Sequence, residues 1–295
     1  MILVFGNGQL GQELARMAGE RGMPLRVLAR QDADIAERGA VTSALKRERP
    51  ALVANAAAYT KVDQAETEIE AAERGNAIGP GVLAQACADA GIPLVHVSTD
   101  YVFDGAKQGA YVESDPIAPL GVYGRTKAAG EAAVRAALAE HVILRTSWVY
   151  GEFGHNFLKT MLRLARERDE LRVVADQRGC PTSTRELASA ILALAPRLVG
   201  REAVFGTYHF AGSGVTTWHG FASRIVAAQA PLSGRAPRVT AILAKDFPAV
   251  ARRPATSVLD CAKFARVFGF AGRPWTEETD RIVRALTGMK ERHVA

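Results

Sequence analysis

An apolar run from Ile2 to Phe5 is followed at once by three glycines at fixed offsets, Gly6-Asn7-Gly8-Gln9-Leu10-Gly11. Apolar residues then recur at Leu10, Leu14, Met17 and Ala18, the spacing of one helix face. A strand, a glycine turn and a helix in this order leave few folds open. An apolar strand flanked by helices is buried on both faces, which calls for a parallel sheet covered on each side. The glycines themselves predict a ligand. Gly6 permits a tight turn, Gly8 lets a pyrophosphate approach the backbone, and Gly11 lets the helix pack on its strand, with phosphates at the helix N-terminus. A tight turn without a ligand is the plainer alternative.

The alternation continues. Residues 25–29 read as a second strand ending in Arg30, where a dinucleotide's adenosine ribose would lie. A guanidinium there suits a 2′-phosphate and predicts NADPH, with NADH as the alternative; an Arg30 that is simply exposed is the other reading. Helical spacing covers 35–49, and 52–55 is a third strand. It opens into Ala56-Ala57-Ala58, small enough for a coenzyme, or a neighbouring helix, to lie against backbone. Residues 66–90 read as helix broken near Gly79-Pro80-Gly81, 93–98 as a strand, 123–140 as helix and 141–146 as a strand. This predicts an α/β fold, a doubly wound parallel sheet of Rossmann type over residues 1–150. Beyond Trp148 the rhythm loosens into a smaller C-terminal substrate-binding lobe over 151–295, from which the segment 185–212 returns to the sheet. Within it, Asp176 to Thr182 reads as a loop, Ser183 and Glu186 as a capping box, and Gly288 as the stop of a last helix from Trp275.

Two stretches carry chemistry. Ser98-Thr99-Asp100-Tyr101 ends the fourth strand, where open α/β sheets place ligands, and Tyr123-Gly-Arg-Thr-Lys127 puts a phenol and an ammonium on one helix face. An ammonium beside a phenol favours phenolate, so Lys127 is expected to lower the Tyr123 pKa. Tyr123 then serves as general acid at a carbonyl, with the Thr99 hydroxyl as a second donor. Read alone, Tyr-x-x-x-Lys is better explained by a solvated helix pair, and its weight comes from what surrounds it.

Composition removes other classes. No apolar run reaches the length of a membrane helix, and no leader pattern precedes the first strand, so a cytoplasmic protein without membrane attachment is expected. Net charge is +6, but the basic residues are scattered and aromatics make up 7%, which argues against nucleic acid and suits an anionic small substrate. Cys87, Cys180 and Cys261 lie far apart, and no histidine pair has ligand spacing, so no metal site is expected.

These residues resemble the extended short-chain dehydrogenase/reductase superfamily, and within it the dTDP-4-dehydrorhamnose reductase family. The likeness spans nearly the whole chain. It rests on Gly8-Gln-Leu-Gly11, Asn55-Ala-Ala-Ala-Tyr-Thr60, Ser98-Thr-Asp-Tyr-Val-Phe-Asp-Gly105, Tyr123-Gly-Arg-Thr-Lys127, Arg145-Thr-Ser-Trp-Val-Tyr150, Gly154-His-Asn-Phe157, Asp176-Gln-Arg-Gly-Cys-Pro-Thr182 and Arg253-Pro254 with Ser257. The resemblance implies reduction of the 4-keto group of dTDP-4-dehydro-β-L-rhamnose with NADPH or NADH, and Thr99, Tyr123 and Lys127 as the catalytic group. It implies Gly8, Gln9 and Leu10 at the coenzyme diphosphate, Asp34 and Ile35 at the adenine, Ala56 to Ala58 along its middle, and Val97 at the nicotinamide. It also implies Asp100 and Trp148 at the sugar, and Asn156 and Arg253 at the nucleotide diphosphate of the substrate. A homodimer, in some relatives bridged by a divalent cation, belongs to the same expectation, with Glu13 exposed on the first helix as the one acid noted. Two departures stand out: the glycine turn is one residue shorter between Gly6 and Gly8, and Arg30 replaces a frequent acid. A nucleotide-sugar epimerase, and a non-catalytic regulatory subunit like that of methionine adenosyltransferase, are the alternative readings.

Overall fold

A computed structural model of the chain describes residues 1–200 and 204–291, with side chains through 288. The first half runs β1 (Ile2–Phe5), α1 (Gln9–Glu20), β2 (Leu25–Leu28), α2 (Arg38–Glu48), β3 (Leu52–Asn55), α3 (Val62–Ala65) and α4 (Ile69–Glu73). A π turn (Arg74–Ile78) leads to α5 (Gly79–Ala90), β4 (Leu94–Thr99), α6 (Val122–Ala137) and β5 (His141–Thr146). The second half adds β6 (Val149–Tyr150), α7 (Phe157–Glu167), β7 (Glu170–Val174), β8 (Arg178–Gly179), β9 (Thr182–Ser183) and α8 (Thr184–Val199). It ends with β10 (Gly206–His209), β11 (Thr216–Thr217), α9 (Trp218–Ser233), β12 (Arg238–Ile242), α10 (Ala262–Phe268) and α11 (Trp275–Glu291).

Six strands form one parallel sheet in the order β10-β5-β4-β3-β1-β2. The expected doubly wound sheet is therefore present. Leu3, Val4 and Phe5 have no exposure, because β1 is paired on both sides, with β3 and β2, and has helices on both faces. One core holds Val4, Leu14, Met17, Val142, Ile191 and Leu194, from the sheet face covered by α1 and α8. The other holds Leu3, Phe5, Val41, Leu83, Val134 and Ile143, from the face covered by α2, α5 and α6. A third cluster, with Tyr150, Leu158, Leu171, Phe221, Ile225 and Ile282, lies apart and is built by α7, α9, α11 and β7. The chain reverses direction across the sheet between β1 and β3, so the carboxyl ends of these strands border a crevice.

Several local expectations change. The segment at Gly79-Pro80-Gly81 does not break the helix; residues 69 to 90 continue through the π turn, with Pro80 in the first turn of α5. Pro80 has no N–H to give to the preceding turn, and the wider π turn just before it absorbs the irregularity. Residues 176–182 contain β8 and the start of β9 rather than loop alone. Ser183 caps α8 by accepting from the Glu186 N–H at 3.1 Å, but Glu186 does not reach back and instead accepts from the Arg273 N–H, so only half of the capping box forms. Gly288 does not end α11, which runs on to Glu291. No helix among the described residues is long and apolar enough to cross a membrane.

Candidate active site

One end of the crevice is built by backbone that admits no side chain. Gly6 has φ +108°, and a Cβ there would lie 2.5 Å from the Ala57 nitrogen. A Cβ on Gly11 would lie 1.9 Å from the Gly6 carbonyl oxygen. The turn after β1 is thus pressed between Ala56-Ala57 and the first turn of α1. Gly8 differs: a Cβ would meet nothing within 4 Å, and no side chain caps α1. The first N–H groups of the helix have no side-chain cap and the space beside Gly8 is open, which fits the diphosphate of a dinucleotide. Gln9 lies over this turn, its amide 3.4 Å from the Val149 carbonyl oxygen and from Asn156. Leu10 is buried in the core beneath it.

Asn156 is the N-cap of α7: Oδ1 accepts from the Lys159 N–H at 3.1 Å, and Nδ2 donates to the Gly151 carbonyl at 2.9 Å. Its side chain is therefore committed to holding the 151–156 loop beside the glycine turn. Asn55, at the end of β3, orients the strip that follows. Its Oδ1 accepts from the Ala57 N–H at 3.1 Å and its Nδ2 lies 3.1 Å from Nδ1 of His96, which burial and then the charge of Lys127 hold well below the usual imidazole range. Ala58 leads from that strip into Tyr59, whose N–H and carbonyl are both held by the side-chain amide of Asn76 in the π turn, at 2.9 and 3.0 Å. Asn76 also donates to Thr126 on α6, at 3.2 Å. One fully buried amide thereby ties the strip to the helix carrying Tyr123 and Lys127.

At the end of β4, Thr99 accepts from the Tyr101 N–H at 3.1 Å and donates to Asp100 at 3.0 Å. Asp100 is 2% exposed and its Oδ2 has no partner. Burial pushes its carboxyl up to about 7, against the pull of the Ser257 and Thr99 hydroxyls. Tyr123 is half-buried, and the ring of Tyr101 meets it edge-on at 5.8 Å. Burial pushes the Tyr123 phenol up to about 12; the nearby Thr99 hydroxyl opposes this, and the charge of Asp100 adds to it. Lys127 does not depress this value. Its Nζ donates to the Val97 carbonyl at 2.7 Å, and the side chain is buried, which brings its own pKa down to about 8 despite the attraction of Glu131. Four-residue spacing puts the two groups on one face, but a buried lysine turns to the nearest orphan carbonyl. Behind it, Glu131 takes a two-point contact from Arg145 at 2.9 and 2.8 Å.

Trp148 has φ +47°, an uncommon conformation for a bulky residue, and its indole stacks on Trp218 at 3.6 Å and 7°. Gly179 leaves room for it: a Cβ there would lie 2.5 Å from the indole. Arg253 pairs with Asp63 at 2.7 Å and its charge acts on Tyr101, so it joins the Thr99–Tyr123 group from the late loop. Arg30 is 78% exposed and pairs with Asp34 at 3.1 Å, while the neighbouring Ile35 is buried against Gly79. Glu13 is buried, not exposed, because α1 packs on α8: it accepts from Thr184 at 3.0 Å and pairs with Arg16. No cluster of three or more potential metal ligands occurs among the described residues. Sequence reading missed Asn76, Arg74 and Trp218. Each acts through a residue distant in the chain, so no local pattern marked it.

A switch-point crevice with a bare helix N-terminus at one end and a Thr–Tyr pair at the other defines a nicotinamide-dependent oxidoreductase of the extended short-chain dehydrogenase/reductase type. The family described as "RmlD substrate binding domain" matches residues 1–287, and the chain belongs to it. The chain is 44% identical to the dTDP-4-dehydrorhamnose reductase of Sinorhizobium fredii over 282 residues, 95% of each chain. It is similar to a crystal structure of a dTDP-4-dehydrorhamnose reductase from Clostridium acetobutylicum, with TM-score 0.89 and 37% identity, covering 97% of this chain and 99% of the other. It is also similar to the dTDP-4-dehydrorhamnose reductase of Bacillus anthracis in complex with NADP, with TM-score 0.88 and 36% identity over 95% of this chain and 97% of the other.

Proposed function

We infer that the protein reduces the 4-keto group of dTDP-4-dehydro-β-L-rhamnose to give dTDP-L-rhamnose, with NADPH as the preferred coenzyme and NADH as the lesser one. The observation that carries this reading is 44% identity, over 95% of each chain, to a reductase of that name, combined with the placing of Thr99 at the carboxyl end of β4 beside Tyr123. When bound, the reduced nicotinamide supplies hydride to the sugar carbonyl carbon. The rest is work for the chain. A phenol raised to about 12 is fully protonated at neutral pH, so Tyr123 stands ready as the acid for an oxygen that becomes an alkoxide. Thr99 supports this by turning its hydroxyl proton from Asp100 to that oxygen as charge develops. Lys127, anchored on the Val97 carbonyl, keeps the end of β4 in place beside the nicotinamide. Asp100 and Trp148 serve the sugar, Arg253 the substrate's diphosphate, and Asn156 acts through Gln9 on the coenzyme turn. An epimerase would use the same Tyr and Lys, but the relatives carry reductase names. The charged substrate and coenzyme suit a cytoplasmic enzyme, and a homodimer belongs to the same reading.

The test is coenzyme oxidation followed by absorbance with dTDP-4-dehydro-L-rhamnose. Tyr123→Phe is expected to lower turnover by about 10²–10⁴ while coenzyme still binds. A variant that keeps near wild-type turnover would show that another group is the acid.

A further inference from the structure

Two guanidinium groups meet at the outer end of β2, although only one of them is near it in sequence. Arg30 Nε lies 3.1 Å from Asp34 Oδ2, and Arg74 Nη2 lies 3.2 Å from the same oxygen while also pairing with Glu37. Arg74 comes from 40 residues further on, at the first position of the π turn. Its arrival depends on close packing: a Cβ on Gly79 would lie 2.6 Å from Ile35 Cγ1, so the end of the π turn rests directly on the residue after Asp34. Asp34 is itself fixed, since its Oδ1 accepts from the Ala36 N–H at 3.0 Å. One carboxylate oxygen thus holds two cations, and both side chains keep solvent access, at 78% and 41%.

We propose that Arg74 is a coenzyme-specificity residue: with Arg30 it closes on the 2′-phosphate of the dinucleotide, and Asp34 is the counter-ion that this phosphate displaces. The proposal rests on the reading of the Gly6–Gly11 turn as a dinucleotide site. A phosphate monoester carries nearly two negative charges and three acceptor oxygens against one shared carboxylate oxygen, so it competes well for two forked donors. A coenzyme without the phosphate gains nothing from the exchange and leaves Asp34 paired with both arginines. Selectivity therefore comes from the second guanidinium, delivered by the π turn, as well as from Arg30.

The experiment is calorimetric titration of NADPH, NADH and 2′,5′-ADP into the wild-type protein, Arg74→Ala and Arg74→Lys, at low salt and at 0.5 M NaCl, without substrate. Arg74→Ala is expected to weaken NADPH and 2′,5′-ADP about tenfold more than NADH, the size of one charge-assisted hydrogen bond. Arg74→Lys should restore part of that loss, because it returns the charge but not the fork. The salt dependence of NADPH binding should flatten in Arg74→Ala. Equal weakening of both coenzymes, or none, would overturn the assignment of Arg74. Failure of the wild-type protein to bind either coenzyme would instead overturn the dinucleotide reading. Circular dichroism and the Tm of Arg74→Ala check that the fold as a whole is kept.

Discussion

Asp100 provides the sharpest test of the site's electrostatics. The carboxyl is 2% exposed, one oxygen has no partner, and burial raises its pKa from 3.8 to about 7. Because the folded value lies above the unfolded one, its contribution to stability is complete below pH 3.8 and is lost as pH rises through about 7. At about 1.4 kcal/mol for each pH unit, the whole span is worth about 4 kcal/mol. Between pH 5 and pH 8 the loss is about 3 kcal/mol, since the unfolded chain is already ionised at pH 5. Asp100→Asn keeps an oxygen to accept from Thr99 and removes the titration. Chemical denaturation of both proteins at pH 5, 6.5 and 8 measures the effect. The wild-type protein should lose about 3 kcal/mol more than the variant over this range, and every other titrating group cancels in the difference. Parallel pH profiles would refute the reasoning and mean that Asp100 is solvated or paired in solution.

Two further perturbations address the frame around the site. Glu131 has no exposure, and its pairing with Arg145 holds its carboxyl down to about 2 despite burial, so Glu131→Gln leaves a buried guanidinium without its counter-charge. A loss of about 3–5 kcal/mol is expected in denaturant unfolding, and less than about 1 kcal/mol would show that the pair is dispensable. Gly6→Ala places a Cβ 2.5 Å from the Ala57 nitrogen at φ +108°, so the Tm should fall and coenzyme affinity with it; a variant with wild-type Tm and affinity would contradict the close approach.

The parts of this protein that could be read directly are those set by local spacing. The apolar runs at residues 2–5, 52–55 and 141–146 became core strands because a strand buried on both faces needs continuous apolar sequence. The glycine offsets at 6, 8 and 11 report where backbone must approach backbone or be left bare, and the four-residue spacing of Tyr123 and Lys127 placed them on one helix face. What those groups do with their charges was decided by the tertiary structure. Lys127 turned to the Val97 carbonyl, so the phenol of Tyr123 rose instead of falling, because desolvation depends on everything packed around a side chain. Glu13 was taken out of solvent by α8, Trp148 was backed by Trp218, and Arg74 was carried to Asp34 by a helix that did not break at Gly79-Pro80-Gly81. Helix and strand periods are properties of a few neighbouring residues. Burial, counter-ions and stacking partners come from segments tens to hundreds of residues away, and only the folded chain brings them together.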